Sequence, residues 1–303
     1  MTQHIEELAQ QLEQHPDYRV LRRLVPGRIF NTPAPGQTLR KGIVLDTETT
    51  GLNVATDRVI ELGMLAFEFD PVTGMVYRVT DVLDELEDPG FPIPPETIAV
   101  HHITDEMVKG QRIDDARVAA FVKDAAVVIA HNASFDRPFV EARWPLFAQL
   151  DWACTIKDID WKEEGFGSAK LEYLLSTQGY FYEAHRAEAD CWALLELLNQ
   201  VLPQSQHTAL LAVLLTLNQP QQKVYALNSP FETKDKLKAR NYRWAAELRC
   251  WTRVVAGAAE MTQELEWLKH HVYAGRSARV EIETTGGKVR YSTRQGHKEV
   301  VTL

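Results

Sequence analysis

The ten residues Gly42-Ile43-Val44-Leu45-Asp46-Thr47-Glu48-Thr49-Thr50-Gly51 decide how the rest of the chain is read. Gly42–Leu45 is a short apolar run of the kind that forms a buried strand. Side chains at i and i+2 of a strand face the same way, so Asp46 and Glu48 present two carboxylates side by side. Adjacent carboxylates repel unless a cation sits between them, and hard oxygen ligands suit Mg2+ or Mn2+. By itself the stretch equally describes a solvated strand end with two acids and a turn.

Downstream, residues 58–69 and 75–83 read as two further strands joined by a turn at Pro71–Gly74, a meander of antiparallel neighbours. Pro92–Pro95 breaks the chain. A helix is predicted over 114–123, a buried strand over 126–130, and helices over 134–143, 169–178 and 187–200. Strands first, with helices around them, predict an α/β domain with a mixed sheet, residues 41–204. Upstream, residues 5–12 suit a short amphipathic helix and Asn31–Gly36 breaks structure, so residues 1–40 read as an N-terminal helical extension. Residues 205–222, ending in Asn218–Gln222, read as a linker. Beyond it, VYAL, YRW and RCWTRVV as strands, FETKDKLKAR and EMTQELEWLKHHV as helices, and two terminal strands split by Thr285–Gly287 predict a compact α+β domain over 223–303.

Two more motifs lie inside the α/β domain. Ala130-His131-Asn132-Ala133-Ser134-Phe135-Asp136 leaves a predicted strand and opens a helix. Asn132 or Ser134 can cap that helix, and Asp136 falls in its first turn, where the dipole favours an anion. The same pattern fits an ordinary capped helix. In His185-Arg186-Ala187-Glu188-Ala189-Asp190, five helical steps turn the chain by about 140° net. Two mid-helix side chains so placed could not easily serve one site, so His185 is expected at or before the helix start, with Asp190 inside. A lone histidine near a helix end is also an ordinary surface residue. Together the motifs supply four carboxylates and a histidine, about the set needed for two divalent ions at a phosphodiester and a proton acceptor for water.

The order D-x-E, N-x-x-x-D, H-x-x-x-x-D resembles the DEDDh (DnaQ-like) family of 3′→5′ exonucleases, which includes the epsilon proofreading subunit of bacterial DNA polymerase III. The likeness runs from about Gly42 to Leu202. It includes Val100-His101-His102-Ile103-Thr104, similar to the family's V-H-G-I-T, and Lys170-Leu171-Glu172-Tyr173-Leu174, similar to its K-L-x-x-L. Each motif is weak alone; their order and spacing make the set specific. The resemblance implies a ribonuclease-H-like fold, Asp46, Glu48, Asp136 and Asp190 as ligands of two Mg2+ or Mn2+ ions, and His185 as general base. It also implies substrate contacts from Thr49, Leu52, His101, Asn132 and Phe135. His102 departs from the family's glycine and adds bulk beside the expected groove.

The remaining composition sets limits. Hydrophobic residues at 45% and charged residues at 25% are those of a soluble globular protein. No apolar run reaches membrane-spanning length, and the polar, acidic MTQHIEELAQ is no secretory signal. Cys154, Cys191 and Cys250 fit no zinc spacing and read as free thiols. A cytoplasmic protein with no membrane partner is therefore expected. The net charge of −9 hides a split: residues 223–303 carry 15 Lys+Arg against 9 Asp+Glu, and residues 1–222 carry 18 against 33. In the basic part, Lys234, Lys238, Arg240 and Arg243 are candidate phosphate contacts, and Tyr242, Trp244 and Trp251 candidate stacking partners for unpaired bases. A basic helix face over an aromatic core fits the same residues. The expected partner is single-stranded nucleic acid, DNA ahead of RNA. An exoribonuclease of the RNase T or oligoribonuclease type and a subunit of a polymerase or repair complex stay open, since 2′-hydroxyl recognition depends on groove shape.

Overall fold

The computed structural model describes residues 2–255 and 257–303 and divides into two compact units, one running through Thr216 and one spanning Leu217–Leu303. The first unit opens with helix α1 (Thr2–Glu13). Three strands follow: β1 (Arg40–Thr49), β2 (Val59–Phe69) and β3 (Val76–Leu86). After them come α2 (Pro95–His101), α3 (Asp115–Val122), β4 (Val127–Ala130), α4 (Ala133–Arg143) and β5 (Trp152–Cys154). The unit closes with α5 (Leu171–Thr177), α6 (Ala187–Asn199) and α7 (Ala209–Leu217).

The strands make one mixed sheet in the order β3-β2-β1-β4-β5. The meander β1-β2-β3 is antiparallel, as its sequence predicts, while β4 and β5 run parallel to β1. This is the helix-flanked mixed α/β sheet expected from the element pattern. Ile43, Val44 and Leu45 of central β1 are all fully buried. A strand covered on both faces reads as a continuous apolar run rather than an alternating one, which is why this segment was legible. Helix α6 has buried residues all round its middle, Cys191 to Leu195, Leu197 and Leu198.

Several boundaries differ from the sequence reading. The break at Pro92–Pro95 is short, because Pro95 starts α2; proline has no N–H to lose at a helix start and carries a helical φ. Residues 205–222 are not an extended linker: they contain α7, a nine-residue apolar helix with Ala209, Leu210, Val213 and Leu214 buried. The N-terminal extension is tied into the first unit. Arg22–Arg23 pairs in parallel with Tyr180–Phe181, Ile29 bridges to Arg78, and Arg22 makes ion pairs with Glu6 and Glu13 of the extension itself. Backbone groups there find partners across the fold, a long-range cause that local patterning does not carry.

The second unit is an antiparallel sheet with helices. Its strands are β6 (Gln221–Ala226), β7 (Arg243–Ala245), β8 (Cys250–Val255), β9 (Arg279–Thr285) and β10 (His297–Thr302), in the order β10-β9-β6-β8-β7. Helices α8 (Lys234–Ala239) and α9 (Gly257–Trp267) complete it, and α9 widens into a π-helical turn over Leu268–Val272. The core gathers Val224, Ala226, Leu237, Leu268, Val280 and Ile282. Glu264 is fully buried there and accepts hydrogen bonds from Arg240, Arg253 and the Tyr242 hydroxyl. The terminal strands are separated by residues 286–296, far more than the three-residue split expected from Thr285–Gly287. Among the described residues no helix is long and apolar enough to cross a membrane.

Candidate active site

The site forms where β1 ends. Central β1 has an antiparallel neighbour on one side and a parallel one on the other; in open α/β sheets, ligands bind in the crevice beyond the carboxyl ends of such strands. Asp46 and Glu48 share one face of β1, and Asp46 lies directly opposite Gly63 of β2. A Cβ added at Gly63 would come within 2.5 Å of the Ala187 backbone carbon. The missing side chain therefore lets the start of α6 lie against the sheet, which carries Asp190, in the first turn of α6, over Asp46. One ligand oxygen from each of Asp46, Glu48 and Asp190 lies within 4.8 Å of the others.

Asp136, in the first turn of α4, lines the same cavity of about 610 Å3 but is not part of that trio. Its Oδ1 accepts hydrogen bonds from the Thr47 N–H (3.1 Å) and the Thr47 hydroxyl (2.9 Å). His185 lies just before α6, off the helix, in a left-handed conformation with φ 67°. Its N–H donates to Asp190 Oδ2 at 2.8 Å, while the Tyr182 hydroxyl donates to Oδ1 at 2.7 Å. Arg186, the N-cap residue, donates through Nε and Nη to Glu61 Oε1 at 2.9 and 2.6 Å, and the Ala187 N–H donates to Glu61 Oε2 at 2.9 Å. Fully buried Glu61 thus anchors the start of α6, satisfying one of the donors that every helix N-terminus leaves unpaired.

The carboxylates resist ionising together. Burial lifts Asp46 well above its usual range, with Asp136, Asp190, Glu48 and Glu61 adding to the effect. Burial pushes Glu48 up to about 8, assisted by the Asp190 and Glu61 charges. Asp136 is raised by burial to about 7 although the Thr47 hydrogen bonds oppose the rise, and Asp190 is raised by burial against the donors Tyr182 and His185. Crowded, buried, oxygen-only side chains of this sort fit hard divalent cations, which supply the missing countercharge.

Of the residues expected here, Asp46, Glu48, Asp136, Asp190, His185, Asn132 and Phe135 all line the cavity. Asn132 occupies the N-cap position of α4 without making a side-chain capping bond, and Ser134 lies inside the helix, so neither expected cap is formed. Thr49, Leu52 and His101 do not line the cavity. The Thr49 hydroxyl donates to the Gly51 carbonyl at 2.6 Å, and Leu52 is 85% exposed. His101 is buried and its Nδ1 accepts from the Ile103 N–H, which places its proton on Nε2, an atom with no protein partner. His102 is exposed and caps α2 in the left-handed conformation, φ 60°, so the family's glycine at this position has a backbone reason.

Tyr182, His131 and Lys170 also line the cavity; the sequence motifs contain His131 and Lys170 but give them no role. The His131 Nε2–H donates to the Ala169 carbonyl and Nδ1 accepts from the Thr155 hydroxyl, both at 2.8 Å; burial holds the ring neutral, with its pKa down at about 4. It pins the 168–170 wall to the end of β4. Only the resemblance to K-L-x-x-L touched this wall, and nothing in the sequence marked Tyr182.

In the second unit, Lys238, Arg243 and Trp244 are exposed, Trp244 meeting Trp251 edge-on at 5.5 Å. The Lys234 ammonium sits 4.2 Å over the Phe231 ring. Arg240 and Tyr242 are engaged with Glu264, and Tyr242 is buried, so neither side chain is presented as a free nucleic-acid contact.

The model of the RNase_T family, described as an exonuclease, matches residues 43–198, just over half of the chain. The chain belongs to this exonuclease family, and its first unit is a nuclease-class hydrolase domain. It is 37% identical over 101 residues to the PolC-type DNA polymerase III of Lacticaseibacillus paracasei, covering 33% of this chain and 6% of that protein. It is 29% identical over 170 residues to the DNA polymerase III subunit epsilon of Treponema pallidum, covering 52% of this chain and 74% of that one. The chain therefore spans only a small fraction of the PolC-type polymerases it matches. Among solved structures, exonuclease X in complex with 5′-overhanging duplex DNA aligns at 24% identity over 58% of this chain and 92% of that one, with TM-score 0.38. E. coli exonuclease I in complex with a dA16 oligonucleotide aligns at 16% identity over 72% of this chain and 63% of that one, with TM-score 0.47.

Proposed function

We propose that the protein is a divalent-metal-dependent 3′→5′ exonuclease that releases nucleoside 5′-monophosphates from single-stranded or frayed DNA. The observation that carries this reading is the convergence of Asp46, Glu48 and Asp190 at the end of β1, beside Asp136 and His185. These four acids would hold two Mg2+ or Mn2+ ions, which when bound polarise a phosphodiester and lower the pKa of water. His185 would accept the proton of the attacking water. Its place off the helix, with its own N–H fixed to Asp190, leaves the imidazole on a short hinge rather than a rigid helical turn. Tyr182 and Glu61 orient Asp190 and the start of α6. Asn132 and Phe135, on the cavity wall, would hold the terminal nucleotide.

The test uses single-stranded DNA labelled at either end, with Mg2+ or Mn2+, with EDTA, and with an Asp46→Ala variant. Release of the 3′ label as mononucleotide, with a shortening ladder from the 5′-labelled strand, and loss of both in EDTA and in the variant, is expected. Release from the 5′ end first, or cleavage untouched by EDTA, overturns the reading; matched RNA in the same assay sets the sugar preference. The likeness to an epsilon subunit favours one second reading, a proofreading partner bound to a polymerase. Co-purification with a polymerase would establish it.

A further inference from the structure

The second unit holds a groove of its own, about 590 Å3, distinct from the cavity of the first unit. Arg276 and Arg279 both line it and both are exposed. Three other cations of this unit are already committed: Arg240 and Arg253 to Glu264, and Lys298 to Glu281. Among the described residues neither Arg276 nor Arg279 makes an ion pair, and Glu232 is the one acid in the groove lining. Asn228 and Ser277 add polar side chains to the same wall. Phe231, between lining residues Pro230 and Glu232 in the chain, is 74% exposed, with the Lys234 ammonium over its ring. Asn228 and Ala274 of the lining turn the chain in left-handed conformations, φ 50° and 52°.

Two guanidiniums without ion pairs in the groove, and an exposed aromatic ring next in the chain to two of its lining residues, offer the charge and the stacking face that a nucleic-acid strand uses. A duplex hides its base faces, so the ring can be used only by an unpaired base. We infer that this groove docks single-stranded nucleic acid, with Arg276 and Arg279 on phosphates and Phe231 under a base. The inference rests on the nucleic-acid reading proposed above, but it moves the contact away from the 234–244 segment that composition alone points to.

The test measures fluorescence anisotropy of labelled oligothymidine with the full chain carrying Asp46→Asn, in EDTA, over a range of salt. Hydrolysis plays no part in this readout, so failure of the exonuclease reading and failure of the groove are separately visible. Each single-strand phosphate contact contributes about 0.7 to the log–log salt slope, so Arg276→Ala with Arg279→Ala should flatten the slope by about 1.4 and weaken binding about 25-fold near 0.1 M salt. Arg276→Lys with Arg279→Lys keeps the charges and should keep most of the slope, which separates lost charge from a damaged fold. Phe231→Ala should weaken binding at least about fivefold and leave the slope alone. Unchanged affinity and slope in the double alanine variant overturn the inference. So does wild-type binding of blunt duplex as tight as that of the single strand.

Discussion

Replacing Glu61 with alanine removes three hydrogen bonds at once from the start of α6: two from Arg186 and one from the Ala187 N–H. The Arg186 side chain is 42% exposed, so water recovers much of what it loses, and its share comes to about 1 kcal/mol. Ala187 is fully buried, and its orphaned N–H costs about 1–3 kcal/mol. A total near 3 kcal/mol lowers the melting temperature of a unit this size by about 6–12 °C. The catalytic effect is expected to be larger, because His185 and Asp190 flank this anchor and a displacement of about 1 Å costs on the order of a hundredfold in rate. Calorimetry in Mg2+ and kcat on single-stranded DNA read the two effects. Glu61→Gln keeps an acceptor for the Ala187 N–H, so it should restore most of kcat. If Glu61→Ala melts within about 1 °C of the parent, or if the glutamine variant is as impaired as the alanine one, the anchoring argument fails.

Three more outcomes follow from the same geometry. Gly63→Ala places a methyl group against the Ala187 backbone; α6 must lift, and about 1–3 kcal/mol of stability with most of the activity should be lost in melting and kinetic assays. His102→Gly relieves a left-handed histidine at the end of α2 and should raise stability by about 0.5–1 kcal/mol in a thermal melt with no change in kcat. Without metal, Glu48 and Asp136 are held at about 8 and about 7, above their unfolded values, so folding disfavours their charged forms. That penalty is absent below about pH 4 and grows until about pH 8, so the metal-free protein should lose stability as pH rises through this window. Mg2+ should abolish the trend and Asp46→Asn should blunt it; a metal-free melt that rises with pH would contradict the crowding of charge.

The parts legible in the sequence were those with local causes. Ile43–Leu45 reads as a buried strand because both faces of β1 are covered, and the i, i+2 spacing of Asp46 and Glu48 survives in the register with β2. The helical arithmetic of His185 and Asp190 placed the histidine off α6, where it lies. What could not be read has long-range causes. Glu61 gave no sign of being an anchor, because its partners are more than a hundred residues away. The apolar helix α7 reads as linker in the sequence because the nearby prolines and glutamines mask it. Arg240 looked like a phosphate contact because nothing local shows that buried Glu264 already holds it.

The four acids proposed to hold the metals, Asp46 and Glu48 of β1, Asp136 of α4 and Asp190 of α6, come from three stretches of chain that are far apart, and Asp190 joins the others only when α6 settles on Gly63. No fragment carrying one or two of these stretches has a complete site. A chain still emerging from the ribosome, or one cut by a protease between β1 and α6, would then be harmless to the nucleic acid around it, and folding itself would serve as the safety catch of the enzyme.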